Sequence, residues 1–170
     1  MVDSERARIF VIIDQDTTDS IRSAATIELL HLQDATVGVK VGLFYGLKNY
    51  GKTPAIIKEI SHQIVCAAEL SKTREYVPKI PLPMDHILAG EQRTDLQTLA
   101  CSLDHKINVA TAKDIQGLKS IIWFYGYVAY DDTFGWSREL RYIFYYDGST
   151  GGRFRLWSYQ EHKSPQPHEA

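Results

Sequence analysis

The chain has 170 residues, of which 44% are hydrophobic and 24% charged, and a formal net charge of -2. This is the composition of a globular protein, and it excludes a chain disordered from end to end. The length accommodates one domain able to bury about two-thirds of its unfolded surface, and the absence of any Lys/Arg run excludes the basic footprint that nucleic-acid binding requires.

From the N-terminus, "MVDSERARIFVII" places acidic residues ahead of a short apolar run, which is the plan of a strand and not of a signal peptide. No stretch reaches the roughly 18 apolar residues of a membrane-spanning helix. The chain as given is therefore expected to be soluble, or to follow a membrane segment that lies upstream. Arg6 to Ile13 reads as a strand closed by the polar loop "DQDTTDS". Ile21 to Ala35 suits a short helix or an edge strand equally. From Val37 the pattern sharpens: Val37, Val39, Val41, Leu43, Tyr45 and Leu47 alternate with Gly38, Lys40, Gly42, Phe44, Gly46 and Lys48. Period-two alternation of this length predicts a half-buried strand.

"NYGKTPA" then makes a corner, in which Asn49 and Gly51 tolerate positive φ and Pro54 keeps Thr53 extended. The strand Ala55 to Ala67 follows. Its faces (Ile56, Lys58, Ile60, His62, Ile64 and Cys66 against Ile57, Glu59, Ser61, Gln63 and Val65) mix polar and apolar residues, as in a strand that bulges midway. Pro78, Pro81 and Pro83 make the next segment loop-like and confine any strand there to a sheet edge. A strand with Leu96 and Leu99 inward is expected after Gly90, and Asp104 to Leu118 reads as loop with at most one helical turn.

"SIIWFYGYVAY" and "SRELRYIFYY" form the strongest pair, a hairpin joined by "DDTFGW" with Gly135 in the left-handed position and Tyr127 facing Leu140. Leu140, Tyr142, Phe144 and Tyr146 share one face of its second strand. "RFRLWSY" is a final short strand, and "QEHKSPQPHEA" a polar tail. About seven short strands with little helix predict an all-β fold with minor α: an antiparallel, immunoglobulin-like β-sandwich in one domain over residues 1–160, with a disordered tail over 161–170.

Three motifs resemble those of a large family of uncharacterised proteobacterial proteins. They are "SERA" (Ser4 to Ala7), the N-x-G-x-T-P-A turn (Asn49 to Ala55) and the G-x-V-x-Y-x-D-x-F-G hairpin (Gly126 to Gly135). Members carry one or two N-terminal transmembrane helices and a soluble β domain, and the match runs over about residues 4 to 158. Where members often end the hairpin in "TRFC" this chain has "LRYIF", so no role for that cysteine carries over. The resemblance implies a membrane-anchored bacterial protein with an immunoglobulin-like sandwich, and no particular activity.

Chemistry is sparse. Asp131 and Asp132 are adjacent on a turn, where carboxylates diverge and satisfy backbone donors instead of acting as an acid/base pair. The six histidines lack metal-ligand spacing. The nearest approach to a metal site, His86 and His105 with Asp85 or Asp104, is too loose to assign. "GSTGG" lacks the ending of a phosphate loop. Cys66 and Cys101 read as small buried hydrophobes, and no catalytic residue, metal or cofactor is assigned. What remains is recognition. An exposed aromatic group at the hairpin turn (Phe134 and Trp136 with Arg138 and Tyr130) is the candidate binding surface; Asn49, Gly51, Pro54, Asp131, Asp132 and Gly135 are assigned to structural turns. The expected function is a non-catalytic module that binds a protein partner or itself through a sheet edge. The alternative is a small-molecule sensor with its ligand between the sheet and the loop Ser71 to Gly90.

Overall fold

The computed structural model describes residues 6–14, 41–77, 79–81, 87–89, 99–103, 107–147 and 152–163. Nine strands are formed among them: β1 (Ile9–Ile13), β2 (Gly42–Asn49), β3 (Ala55–Ala67), β4 (Lys79–Pro81), β5 (Ile87–Leu88), β6 (Leu99–Ser102), β7 (Ile121–Asp132), β8 (Ser137–Asp147) and β9 (Arg153–Lys163). One helix is described among these residues, α1 (Val109–Gln116), between β6 and β7. All pairings are antiparallel. A three-stranded sheet, β1-β2-β6, packs on a six-stranded one, β4-β3-β7-β8-β9, in which β5 also pairs with β3.

The sandwich is as expected. Among the described residues it divides into three and six strands, where a constant-type immunoglobulin domain has four and three. Two strands beyond the expected seven are the short β4 and β5, which flank β3 at the edge where the proline pattern confines them.

The alternation read in β2 holds: Val41, Leu43, Tyr45 and Leu47 are buried in the core, while Gly42 and Phe44 face out. In β3 strict alternation would put Ile57 and Ile60 on opposite faces. A register shift between Ile57 and Glu59 absorbs one residue and brings both into the core with Ile64. In β7 and β8 both faces are used. Ile122, Phe124, Val128, Tyr130, Leu140, Tyr142 and Tyr146 enter the main core, whereas Trp123, Tyr125 and Ile143 form a second cluster on the outer face of the large sheet.

Three expectations are corrected. First, the hairpin register pairs Tyr127 with Arg141 and Val128 with Leu140. Asp131 and Asp132 extend β7, and the Asp132 N–H bonds the Trp136 carbonyl at 3.0 Å, so the pairing moves by one residue. Second, the segment read as loop contains α1. Asn108 caps it, its Oδ1 accepting from the Thr111 N–H at 2.9 Å, and Ala112 and Ile115 bury one stripe in the core. Third, β9 continues to Lys163, past the short strand and into the segment assigned to a tail, because Glu161 is held by β7 and β8. Ile21 to Ala35, Leu96, Asp85, His86, Asp104, His105 and most of "GSTGG" lie outside the described residues.

The "NYGKTPA" corner locks the two sheets. Asn49 is buried, and its Oδ1 accepts from the Arg8 and Gly51 N–H groups at 3.1 and 2.9 Å. Its Nδ2 donates to the Thr53 and Leu88 carbonyls at 2.7 and 3.1 Å. All four hydrogen-bonding sites of the amide are thereby used, joining β1, the corner and β5. Gly51 lies so close to the strand leading into β1 that a Cβ there would stand 1.8 Å from the Arg6 carbonyl oxygen. Only glycine fits.

Candidate functional site: the hairpin tip, the outer aromatic face and the β9 edge

At the hairpin tip Asp132 Oδ1 accepts from the Phe134 and Trp136 N–H groups at 2.9 and 3.1 Å, and Gly135 turns the chain with φ of 79°. Asp131 accepts from the Ser137 hydroxyl at 2.7 Å and pairs with Lys58 at 3.2 Å. Both carboxylates thus serve the turn. Phe134 and Trp136 are exposed, and the Arg6 guanidinium lies 5.8 and 5.9 Å from their ring centroids. This is cation–π distance.

The structure separates the four residues that the sequence groups together. Phe134 and Trp136 lie on the surface; Arg138 (5% exposed) and Tyr130 (1%) do not. The reason is strand parity, which turns 138 to the same face as the core residues Leu140 and Tyr142. Arg138 there meets Asp132 (Nε to Oδ2, 3.4 Å) and Glu161 (Nη1 to Oε1, 3.1 Å). The Tyr130 hydroxyl donates to Glu161 at 2.5 Å. Burial opposes the charge of Arg138, but the Glu161 bond and the charges of Glu161, Tyr130 and Asp132 outweigh it and raise its pKa. Burial, then Glu161, raises that of Tyr130. The cluster fastens β7, β8 and β9 below the tip, and Tyr159 adds a bond to the Ile9 carbonyl at 2.6 Å.

The larger aromatic surface is elsewhere. On the outer face of the large sheet Trp123 donates its Nε1–H to the Ala67 carbonyl at 3.1 Å. Tyr125 and Tyr127 donate to Gln63 and Glu59, and Tyr76 packs edge-on against both rings. Arg141 stands 5.3 Å from the Tyr76 ring. At the margin Trp157 is set edge-on to Trp123 and Tyr145, each at 5.8 Å. Trp157 is 66% exposed, and its neighbour Leu156 is 52% exposed. Among the described residues β9 pairs on one side only, with β8. Sequence reading placed "RFRLWSY" in a strand without asking which neighbour would cover its tryptophan. Arg153 and Arg155, just ahead of Leu156 and Trp157, are the edge-strand signal that could have found it.

Two cavities are lined by described residues. One of about 480 Å³ lies beside Arg8, Phe10 and Tyr50. The other, about 340 Å³, lies between β3 and β6 and includes His62, Ile64, Ala100 and Ser102 in its walls. The Tyr45 hydroxyl meets His62 Nδ1 at 2.5 Å, leaving Nε2 as the other ring nitrogen, and burial lowers the His62 pKa. Among the described residues no group of three or more His, Cys, Asp and Glu side chains is placed to hold a metal ion, and no helix is long and apolar enough to cross a membrane. Cys66 and Cys101 are not joined in a disulfide. No protein-family model and no curated protein matches the chain.

Proposed function

We propose that the chain is a non-catalytic protein-interaction module whose partner docks on the outer aromatic face at the β9 edge, centred on Trp157. The observation that carries this reading is the exposure of Trp157, set edge-on against Trp123 and Tyr145, on an eleven-residue edge strand. Covering the exposed two-thirds of one indole is worth about 3 kcal/mol, at about 25 cal/mol per Å² over an aromatic side chain of about 200 Å². That is the size of an interface hot spot. Trp123 and Tyr145 already hold one edge of the ring, so little side-chain freedom is lost on binding.

The same edge carries devices that oppose open-ended sheet growth. A register shift opposite Ile143/Phe144 breaks the ladder, and Arg155 is tied to Asp147 at 3.0 Å. The partner therefore reads side chains on the face, and a second copy of the chain is one such partner. The hairpin tip, with Phe134 and Trp136, is a smaller accessory surface. The resemblance drawn from the motifs adds a bacterial, membrane-tethered setting to this reading. A flat aromatic face of this kind favours protein contact over small-molecule sensing, which calls for an enclosed apolar pocket.

Native mass spectrometry of the chain, purified gently from the cells that encode it, tests the proposal. A dimer or a complex with a second protein, lost in the Trp157→Ser variant, is expected. A monomer carrying a reproducible small-molecule adduct, or a bare monomer, would count against it.

A further inference from the structure

Two turns lie together at one end of the sandwich. Tyr50 to Pro54 joins β2 to β3 and Thr133 to Trp136 joins β7 to β8, and the register sets Ala55 beside Asp132 and Asn49 beside Ile9. The segment leading into β1 bridges them. The Tyr50 N–H bonds the Arg8 carbonyl at 2.8 Å, Gly51 packs against the Arg6 carbonyl, and the Arg6 guanidinium faces the Phe134 and Trp136 rings. The first turn repeats that pairing of ring and cation, since the Lys48 ammonium stands 4.2 Å from the Tyr50 ring centroid. Tyr50 is 53% exposed, Phe134 51% and Trp136 37%, so all three rings reach solvent.

Charge is sorted at the same end. Between their strands the turns read "YGKTP" and "TFGW", without an acidic residue, and Lys52 is exposed on the first. Arg8, bonded to Tyr50 through its carbonyl, is exposed too. The described carboxylates at this end are already engaged: Asp131 with Lys58 at 3.2 Å, and Asp132 and Glu161 with Arg138. Among the described residues this end is therefore basic and aromatic, in a chain whose net charge is -2.

We propose that this end of the sandwich docks on an anionic lipid surface, with Tyr50, Phe134 and Trp136 at headgroup depth and Arg6, Arg8, Lys48 and Lys52 against the lipid phosphates. Aromatic rings concentrate where bilayer and water meet, and each Lys or Arg near an anionic surface contributes about fivefold in affinity. Rings and cations that are already paired meet the interface as units, the ring toward the acyl boundary and the charge toward the phosphates. Shape separates this occupant from an acidic protein. A specific protein interface takes a matched face of about 800 Å² from each partner. These groups stand instead on two turns and a strand entry, which headgroups close around without a matched surface. The Trp157 face lies toward the other end, beside Trp123 near the start of β7 and Tyr145 near the end of β8. The proposal gives the hairpin tip an occupant of its own and stands whether or not Trp157 binds a partner.

Co-sedimentation of the full chain with vesicles tests it, using phosphatidylcholine alone and phosphatidylcholine mixed with phosphatidylglycerol. Binding to the anionic vesicles more than about tenfold tighter than to the neutral ones is expected, weakening as salt is added. Phe134→Ser combined with Trp136→Ser should lower it about tenfold, and Lys52→Glu by a similar factor. Trp157→Ser and Lys72→Glu, which lie away from this end, should leave it unchanged. The substituted side chains are exposed, so a thermal melt confirms that each variant is folded. No binding to anionic vesicles, an equal loss in Lys72→Glu, or a loss centred on Trp157→Ser would overturn the proposal. So would capture of an acidic protein by the tip without any affinity for vesicles.

Discussion

Asn49→Ala should be among the most damaging single polar substitutions in this chain. The side chain makes four hydrogen bonds, and removing it strands the N–H groups of Arg8 and Gly51 and the carbonyls of Thr53 and Leu88. A hydrogen bond contributes about 1 kcal/mol net, and a buried group left unpaired costs about 1–3 kcal/mol. The bonds to Gly51 and Leu88 are fully buried, whereas those to Arg8 and Thr53 are partly reached by water, which reduces the sum to about 3 kcal/mol. Against a total stability of about 5–15 kcal/mol this is a large fraction. With a urea m-value of about 2 kcal/mol/M, the midpoint should fall by about 1.5 M with m unchanged. In a thermal melt the loss corresponds to roughly 10 °C. A midpoint shift below about 0.5 M would refute the reasoning, since it would mean that the corner is not held by this amide.

Gly51→Ala forces a Cβ against the Arg6 carbonyl, so a loss of more than about 2 kcal/mol is expected, read as faster amide exchange at Arg8 and along β1. Arg138→Met leaves Asp132 buried without its cation and should cost about 3 kcal/mol by urea titration; a neutral result would show that the cluster contributes nothing net. The lowered pKa of His62 means that the unfolded chain binds this proton more readily than the folded one. Its contribution to stability is therefore complete above about pH 6.5 and declines below, so the urea midpoint should fall between pH 7.5 and 5.5, and less steeply in His62→Gln. Burial also raises the pKa of Tyr45, Tyr142 and Tyr159. Folded stability is then present below pH 10 and lost above it, and these phenols should ionise together with unfolding in an absorbance titration, not before it.

How legible these features were in the sequence differed by element. β2 and the β7–β8 pair could be read because one face of each repeats at period two with large apolar residues, a signal that survives without knowledge of the partner strand. β3 could be bounded but not oriented, since a bulge at its start reverses the parity that its pattern implies. α1 escaped because "VATAKDIQ" carries only a thin apolar stripe, and its clearest signal, the capping Asn108, was passed over. At the hairpin tip the exposure of Phe134 and Trp136 could be read from their place in the turn. Arg138 and Tyr130 were grouped with them by nearness to the turn, although the parity of Arg138 with Leu140 and Tyr142 already turns it to the core face. Trp157 was missed for a different reason: which strand ends at a sheet edge is a property of the topology, and no local pattern states it.

Site-specific photocrosslinking tests the central claim most directly. A photoreactive phenylalanine analogue would be placed at position 157, with a control at exposed Lys52, in the cells that encode the protein. A discrete protein adduct from position 157 that is absent from position 52 is the predicted result. No adduct at 157, or the same adducts from both positions, would contradict the assignment of the β9 edge as the partner-binding surface.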